Sequence, residues 1–293
     1  MDRVAFTIMG KDIYWYGVII ACALLIGMAL AMIEAKKRGY TAEVVLDFLI
    51  IAVPLAVIGA RAYYVIFNYS QYQGDFIKMI AVWDGGIAIY GAVIGGAVAA
   101  LFMRWFRKFP ALTLLDICAP SLVLGQALGR WGNFINQEAY GNPVLNPNWQ
   151  FFPYAVYIDT PKMAGQLAGY YMATFFYEFA WNLIVFGVLM IFLKGLRKYR
   201  GAVFAAYVTL YGIGRFFIEG LRTDSLMVMG TNIRVSQALA LVMVALGGFY
   251  LSYVLTKKPE YKLYDGIYSL DNAGFDDKSK KEKKNKNKNE IEF

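Results

Sequence analysis

Three stretches of this chain carry no charged residue over the width of a membrane: Ile13–Ile33, Gly85–Met103 and Val235–Thr256. A bilayer core is crossed by about 20 mostly apolar helical residues. In lipid the backbone polar groups must be satisfied inside the segment, so runs of this kind fold as membrane-spanning helices. Four shorter windows, interrupted or bounded by single charges, lie at about 43–67, 112–131, 171–193 and 201–220. The fold class is therefore an all-α polytopic membrane protein with about seven transmembrane helices. The expected spans are about 13–35, 43–67, 83–103, 112–131, 171–193, 201–220 and 233–256. Glu34-Ala35-Lys36-Lys37-Arg38 follows the first run directly, without the small-residue cleavage site of a signal peptide, so that span is expected to be retained.

Composition supports this frame and excludes several functions. Of the 293 residues, 59% are hydrophobic and 17% charged, unlike an ordinary soluble enzyme. There is no histidine, and the two cysteines, Cys22 and Cys118, lie in apolar runs. A disulfide framework, a metal site and a histidine base are thereby disfavoured, and no cofactor motif is visible. The formal charge of +8 does not point to nucleic acid, because the basic residues flank apolar segments, where they set topology.

With the N-terminus outside, the inner loops and the tail carry 20 Lys and Arg, against six in the outer segments. That asymmetry puts the C-terminus in the cytoplasm and the long 132–170 loop outside. Asn142-Pro143, Asn146-Pro147 and Phe152-Pro153 punctuate this loop, and its aromatic residues suit headgroup depth. Two regions result, a transmembrane catalytic domain over 1–256 and a tail over 257–293 with 10 Lys and 8 acidic residues. The lysine-rich tail lacks an apolar face and is expected to be disordered.

Charges inside spans cost about 2.5–3.5 kcal/mol each on insertion scales, so each needs a partner or a purpose. They are Asp47, Arg61, Asp116, Arg130, Glu178, Arg215 and Glu219. Structural pairing is the simpler reading for Asp47 and Asp116, near the inner side. Arg215, Glu219 and Arg222 recur at i, i+4 and i+7, one helix face, with Glu219 as ion-pair partner of either arginine. Arg130 and Arg215 both fall in the outer half of the membrane. Two planar guanidiniums at headgroup depth form a phosphate pocket.

The run from Gly129 through Arg130, Asn133, Asn136 and Glu138 to Gly141 concentrates glycine, amide, acid and arginine where a span meets the outer face. Its amides donate and accept, and Glu138 can accept a proton or orient an arginine. A companion run, Trp83-Asp84-Gly85-Gly86-Ile87-Ala88-Ile89-Tyr90-Gly91, enters from the same side and carries a phenol into the span.

These runs resemble the motifs of the phosphatidylglycerol–prolipoprotein diacylglyceryl transferases. So do Tyr14-Trp15-Tyr16-Gly17, Tyr177-Glu178, and Tyr211 through Arg215, Glu219 and Arg222, in the same order along about residues 1–256. The resemblance implies a multi-pass enzyme of the bacterial plasma (inner) membrane with its active site toward the outer leaflet. It implies transfer of the diacylglyceryl group from phosphatidylglycerol to the lipobox cysteine thiol of a preprolipoprotein, leaving a thioether and releasing glycerol 1-phosphate. By motif position, Arg130 and Arg215 resemble the family's essential arginines. Asn133, Glu138, Gly141 and Tyr16 resemble its other functional positions, and Glu219 and Arg222 belong to the substrate-binding set. Many members carry a histidine where this chain has Tyr90 and another where it has Met172. The general base is therefore open between Tyr90, Glu138 and a lipid phosphate oxygen. Two rival readings remain: a transporter of phospholipid or another anion, which inverted repeats and a charged path would favour, and an enzyme on phospholipid headgroups with another acceptor.

Overall fold

A computed structural model of the chain describes residues 3–159, 161, 166–223, 227, 234–259 and 263–272. Those residues contain seven helices long and apolar enough to cross a membrane, the number read from the charge-free windows. They are α1 (Trp15–Lys37), α2 (Glu43–Phe67), α4 (Ile89–Phe106), α5 (Ala111–Asn136), α6 (Thr174–Ile191), α7 (Ala202–Glu219) and α8 (Val235–Lys257), and α3 is a single short turn, Phe76–Ile80. Two antiparallel hairpins complete the fold, β1 (Val4–Ile8) with β2 (Lys11–Tyr14) and β3 (Ala155–Ile158) with β4 (Gly169–Met172). The protein is an all-α polytopic membrane protein.

The chain groups into two compact units, one of residues 1–30 and 116–261, the other of 31–115 and 262–293. In the second unit, α2 and α4 pack through glycine. A side chain at Gly59, Gly91 or Gly95 would collide with the backbone of the opposite helix, so the two axes approach closely. The third span was expected from residue 83, yet α4 starts at Ile89. Gly85 and Gly86 adopt left-handed backbone, φ +80° and +69°, which ends the 82–84 turn before the helix begins.

Arg61, buried in α2, gives its hydrogen bonds to backbone rather than to carboxylates among the described residues. Its Nε donates to the Met79 carbonyl at 2.9 Å, Nη1 to Gly85 and Gly86 at 2.5 and 2.8 Å, and Nη2 to Lys78 at 2.5 Å. Its guanidinium also lies 5.0 Å from the Tyr72 ring. Every guanidinium nitrogen thus holds backbone, and the 72–86 segment is folded back onto α2.

The tail departs from its expectation at its root. Tyr268 is buried, its hydroxyl donating to Asp47 Oδ2 at 2.6 Å, and Arg107 pairs with the same oxygen at 3.1 Å. Tyr40, Phe109, Tyr264 and Tyr268 form an edge-packed aromatic cluster, and Tyr40 bridges Ser269. Burial, then the Asp47 contact, pushes the Tyr268 phenol well above its ordinary value. Two tail rings, Tyr264 and Tyr268, supply the apolar area that the charged composition of the tail concealed. The lysine-rich stretch 280–289 lies outside the described residues, as does Lys162.

In the first unit, Asp116 is fully buried and accepts from Gly201 N at 2.6 Å and Phe204 N at 2.8 Å, capping the start of α7. A membrane-buried acid is thereby satisfied by backbone donors, the structural role expected of it. At the other end, α7 stops at Glu219. Arg222 lies beyond the helix, so the i+7 position does not continue the face of Arg215 and Glu219. Gly220 ends the helix, and Arg222 pairs through its backbone with Gly141 instead.

Candidate active site

The decisive local feature is the length of α5. The expected span ended at residue 131, yet the helix runs to Asn136. Aromatic packing on the start of α6 carries it past that point. Phe134 stacks on Phe175 at 5.0 Å between ring centroids, and Trp131 meets Phe179 at 5.4 Å. The extra turn brings Asn133 three residues along the same helix from Arg130, and Arg130 Nη1 donates to Asn133 Oδ1 at 3.2 Å. Asn133 Nδ2 and Asn136 Nδ2 both donate to Glu138 Oε1, at 3.2 and 3.1 Å.

The other arginine arrives from α7. Gly214 lies so close to Trp181 of α6 that a side chain there would overlap the indole, whose Nε1 donates to the Leu210 carbonyl at 2.9 Å. That crossing sets Arg215 opposite Glu178. Glu178 then joins the two arginines: Arg130 Nη2 lies 2.5 Å from its Oε1, and Arg215 Nη1 lies 2.9 Å from its Oε2. Arg215 Nη2 reaches Glu219 Oε2 at 2.6 Å, and Arg234 donates to the Glu219 carbonyl. Tyr211, one turn before Arg215, lies in the field of Glu178 and both arginines.

Both carboxylates are about 3% exposed, whereas Arg130 and Arg215 are 19% and 17% exposed. The acids thus sit behind the arginines and the guanidiniums present the accessible edge. Such a surface can take an anion with several acceptor oxygens through paired N–H groups. Beside it, between α6 and α7, runs an apolar groove of about 380 Å³ lined by Tyr177, Trp181, Ile184, Ile213, Phe217 and Ile218 among others.

Of the sequence-designated residues, Arg130, Asn133, Glu138, Arg215 and Glu219 form one connected network. Tyr16 lies beside it, its ring over Gly132, where a Cβ would overlap it. Gly141 is wedged among Leu221 O, Thr174 Cγ2 and Met172 Cβ, each within 2.9 Å of where a Cβ would stand. Its N–H donates to the Met172 carbonyl at 2.8 Å, and Thr174 Oγ1 donates to Ala139 O at 2.6 Å. This glycine joins three strands of backbone: the loop, β4 and the Arg222 turn. Tyr90 stands in the second unit, at the first turn of α4, 6.1 Å from the Tyr63 ring. Among the described residues no group of acids and cysteines is arranged to hold a metal ion.

Glu178 is the member that sequence reasoning left out of the site. It stands 48 and 37 residues from its two partners, and its signals in sequence were its cost as an acid in an apolar span and its place in the Tyr177-Glu178 motif.

This clustering of motif residues coincides with what the chain is similar to. The profile described as Prolipoprotein diacylglyceryl transferase matches residues 3–253. The chain belongs to the prolipoprotein diacylglyceryl transferase family. A relative from Oceanobacillus iheyensis, named phosphatidylglycerol–prolipoprotein diacylglyceryl transferase, is 44% identical over 86% of this chain and 88% of its own. Proteins of the same name from Listeria monocytogenes serovar 1/2a and Streptococcus suis are both 42% identical, over 90% and 84% of this chain and 94% and 90% of theirs. Membership makes the chain a diacylglyceryl transferase, and the network above lies wholly within the matched residues.

Proposed function

We propose that the protein transfers the diacylglyceryl group of phosphatidylglycerol to the lipobox cysteine thiol of a preprolipoprotein, with the phosphate of the donor held by Arg130 and Arg215. The observation that carries this reading is the pair of arginines, drawn from two helices onto one buried carboxylate and more exposed than that carboxylate. The phosphate meets the arginines while an acyl chain lies along the α6–α7 groove. The substrate sulfur attacks the glyceryl carbon bonded to the phosphate oxygen. A carbon–sulfur bond forms, the carbon–oxygen bond breaks, and its electron pair leaves with glycerol 1-phosphate. Arg130 and Arg215 stabilise the negative charge growing on that oxygen. Glu138, oriented by Asn133 and Asn136, takes the thiol proton. Tyr16, Gly141 and Arg222 shape the surrounding wall.

The excess of Lys and Arg in one set of loops supports a bacterial inner-membrane orientation with the N-terminus and the 132–170 loop outside. A cysteine introduced at Asn148 would then react with an impermeant thiol reagent in intact cells; reaction only after the inner face is opened would reverse the orientation. The function is tested by incubating purified enzyme with phosphatidylglycerol and a lipobox peptide. A gain of one diacylglyceryl unit on the peptide cysteine is expected, and an unmodified peptide would reject the assignment.

A further inference from the structure

Glu178 does more geometric work than an ordinary ion-pair partner. Each of its oxygens serves a different arginine on a different helix, and it is the more deeply buried side of both contacts. A phosphate presents two oxygens to a pair of guanidiniums in the same manner, so this carboxylate is an internal rival of phosphate for both arginines. The two arginines with Glu178 and Glu219 carry no net charge as a group. A bare arginine pair would carry two positive charges in a site shielded from water, where charge interactions are strong.

We propose that Glu178 is a positioning residue that sets how tightly the arginine pair holds phosphate, and so lets the phosphate product leave. The inference rests on the assignment of Arg130 and Arg215 to the donor phosphate. The donor is a phosphodiester with one negative charge. Breaking the carbon–oxygen bond turns it into a monoester, which carries about −1.5 to −2 charges near neutral pH. Arginines that bound the diester well would therefore bind the product better still, and release would limit turnover. A fixed carboxylate between the guanidiniums opposes that gain most strongly for the more highly charged species. It also fixes both forks in one arrangement before the lipid arrives.

The test uses the full-length purified enzyme with phosphatidylglycerol and a lipobox peptide, comparing wild type, Glu178→Gln and Glu178→Asp at equal folded amount. Glycerol 1-phosphate is added as inhibitor. In Glu178→Gln its inhibition constant is expected to fall at least about tenfold, the least that removing a unit charge a few ångströms away does in a partly water-excluded site. The KM for phosphatidylglycerol should fall by less, and kcat should drop. Glu178→Asp keeps the charge but is too short to serve both arginines, so kcat should drop while product inhibition stays close to wild type. Unchanged or weaker product inhibition in Glu178→Gln would overturn the proposal, as would equal tightening in Glu178→Asp, since charge would then not be the cause. If Glu178→Gln does not fold, Glu219→Gln removes the second compensating charge and should also tighten product inhibition; no tightening there overturns the proposal. A wild type that modifies no peptide rejects the transferase assignment itself, whereas active enzyme with untightened inhibition rejects only the role of Glu178.

Discussion

Arg61 and the Arg130–Arg215 pair are all guanidiniums inside spans, but their partners differ in kind. Arg61 gives its donors to four backbone carbonyls, neutral acceptors fixed by the fold. Arg130 and Arg215 give theirs to carboxylates and an amide side chain. An incoming anion cannot replace backbone carbonyls without unfolding the segment that carries them. It can compete with a carboxylate for a guanidinium edge. Partner type therefore separates an arginine that holds the structure together from arginines suited to receive a ligand, although all three look equally costly in sequence.

The largest expected effect tests the ligand-binding side of this contrast. Arg130→Lys should cost activity about 100–1000-fold, nearly as much as Arg130→Ala, because lysine keeps the charge and loses the paired fork. Initial rates of peptide modification at matched folded amount measure this, and a near-normal rate in the lysine variant would remove the fork from the mechanism. The structural side is probed at Arg61. Arg61→Gln should lower stability by at least about 1.5–3 kcal/mol, the worth of one hydrogen bond to a charged group, read as thermal unfolding in detergent. Unaltered unfolding would mean the carbonyl cradle contributes nothing to the fold.

A smaller effect is expected at Glu219, whose carboxylate pairs with Arg215. Glu219→Gln should retain partial activity, about a tenth or more of wild type, as befits an orienting contact rather than a base. If it were inactive while lysine worked at both arginines, Glu219 would become the leading base. The smallest change is expected from replacing Cys22 and Cys118 together with alanine. Cys118 is buried, Cys22 is exposed and the reacting thiol is the substrate's, so turnover should be preserved. Loss of activity in a folded double variant would imply a covalent enzyme intermediate.

Much of the fold was legible because seven apolar runs each have one solution in lipid. Their ends were less so. The fourth span was expected to end at residue 131, yet packing of Trp131 and Phe134 on α6 continues the helix to Asn136, and a contact 41 residues away in sequence leaves no local mark. At α7 the expected span 201–220 matches the helix, and only the i, i+4, i+7 face does not hold, because Arg222 lies past Gly220. Tyr264 and Tyr268 were read with the lysines around them, though their rings seal against Tyr40 and Phe109. At the site, Arg130, Asn133, Glu138, Arg215 and Glu219 stood out because polar groups at span ends are expensive and were gathered in two runs. Glu178 was marked as an in-span acid and a motif residue, but its link to both arginines was not legible, since it depends on two helices meeting it. Tyr90 stood out as a phenol in a glycine-rich motif, and its ring lies 6.1 Å from that of Tyr63.

The contrast between the two kinds of arginine is tested most directly by measuring rate per folded molecule and unfolding temperature together for Arg215→Lys and Arg61→Lys. Arg215→Lys is expected to unfold near the wild-type temperature and to modify the lipobox peptide at least about 100-fold more slowly, the cost of losing a transition-state charge contact. Arg61→Lys is expected to unfold earlier while its folded molecules turn over at close to the wild-type rate. The reverse pattern, an active Arg215→Lys and a stable but inactive Arg61→Lys, would contradict the assignment of the phosphate to Arg130 and Arg215.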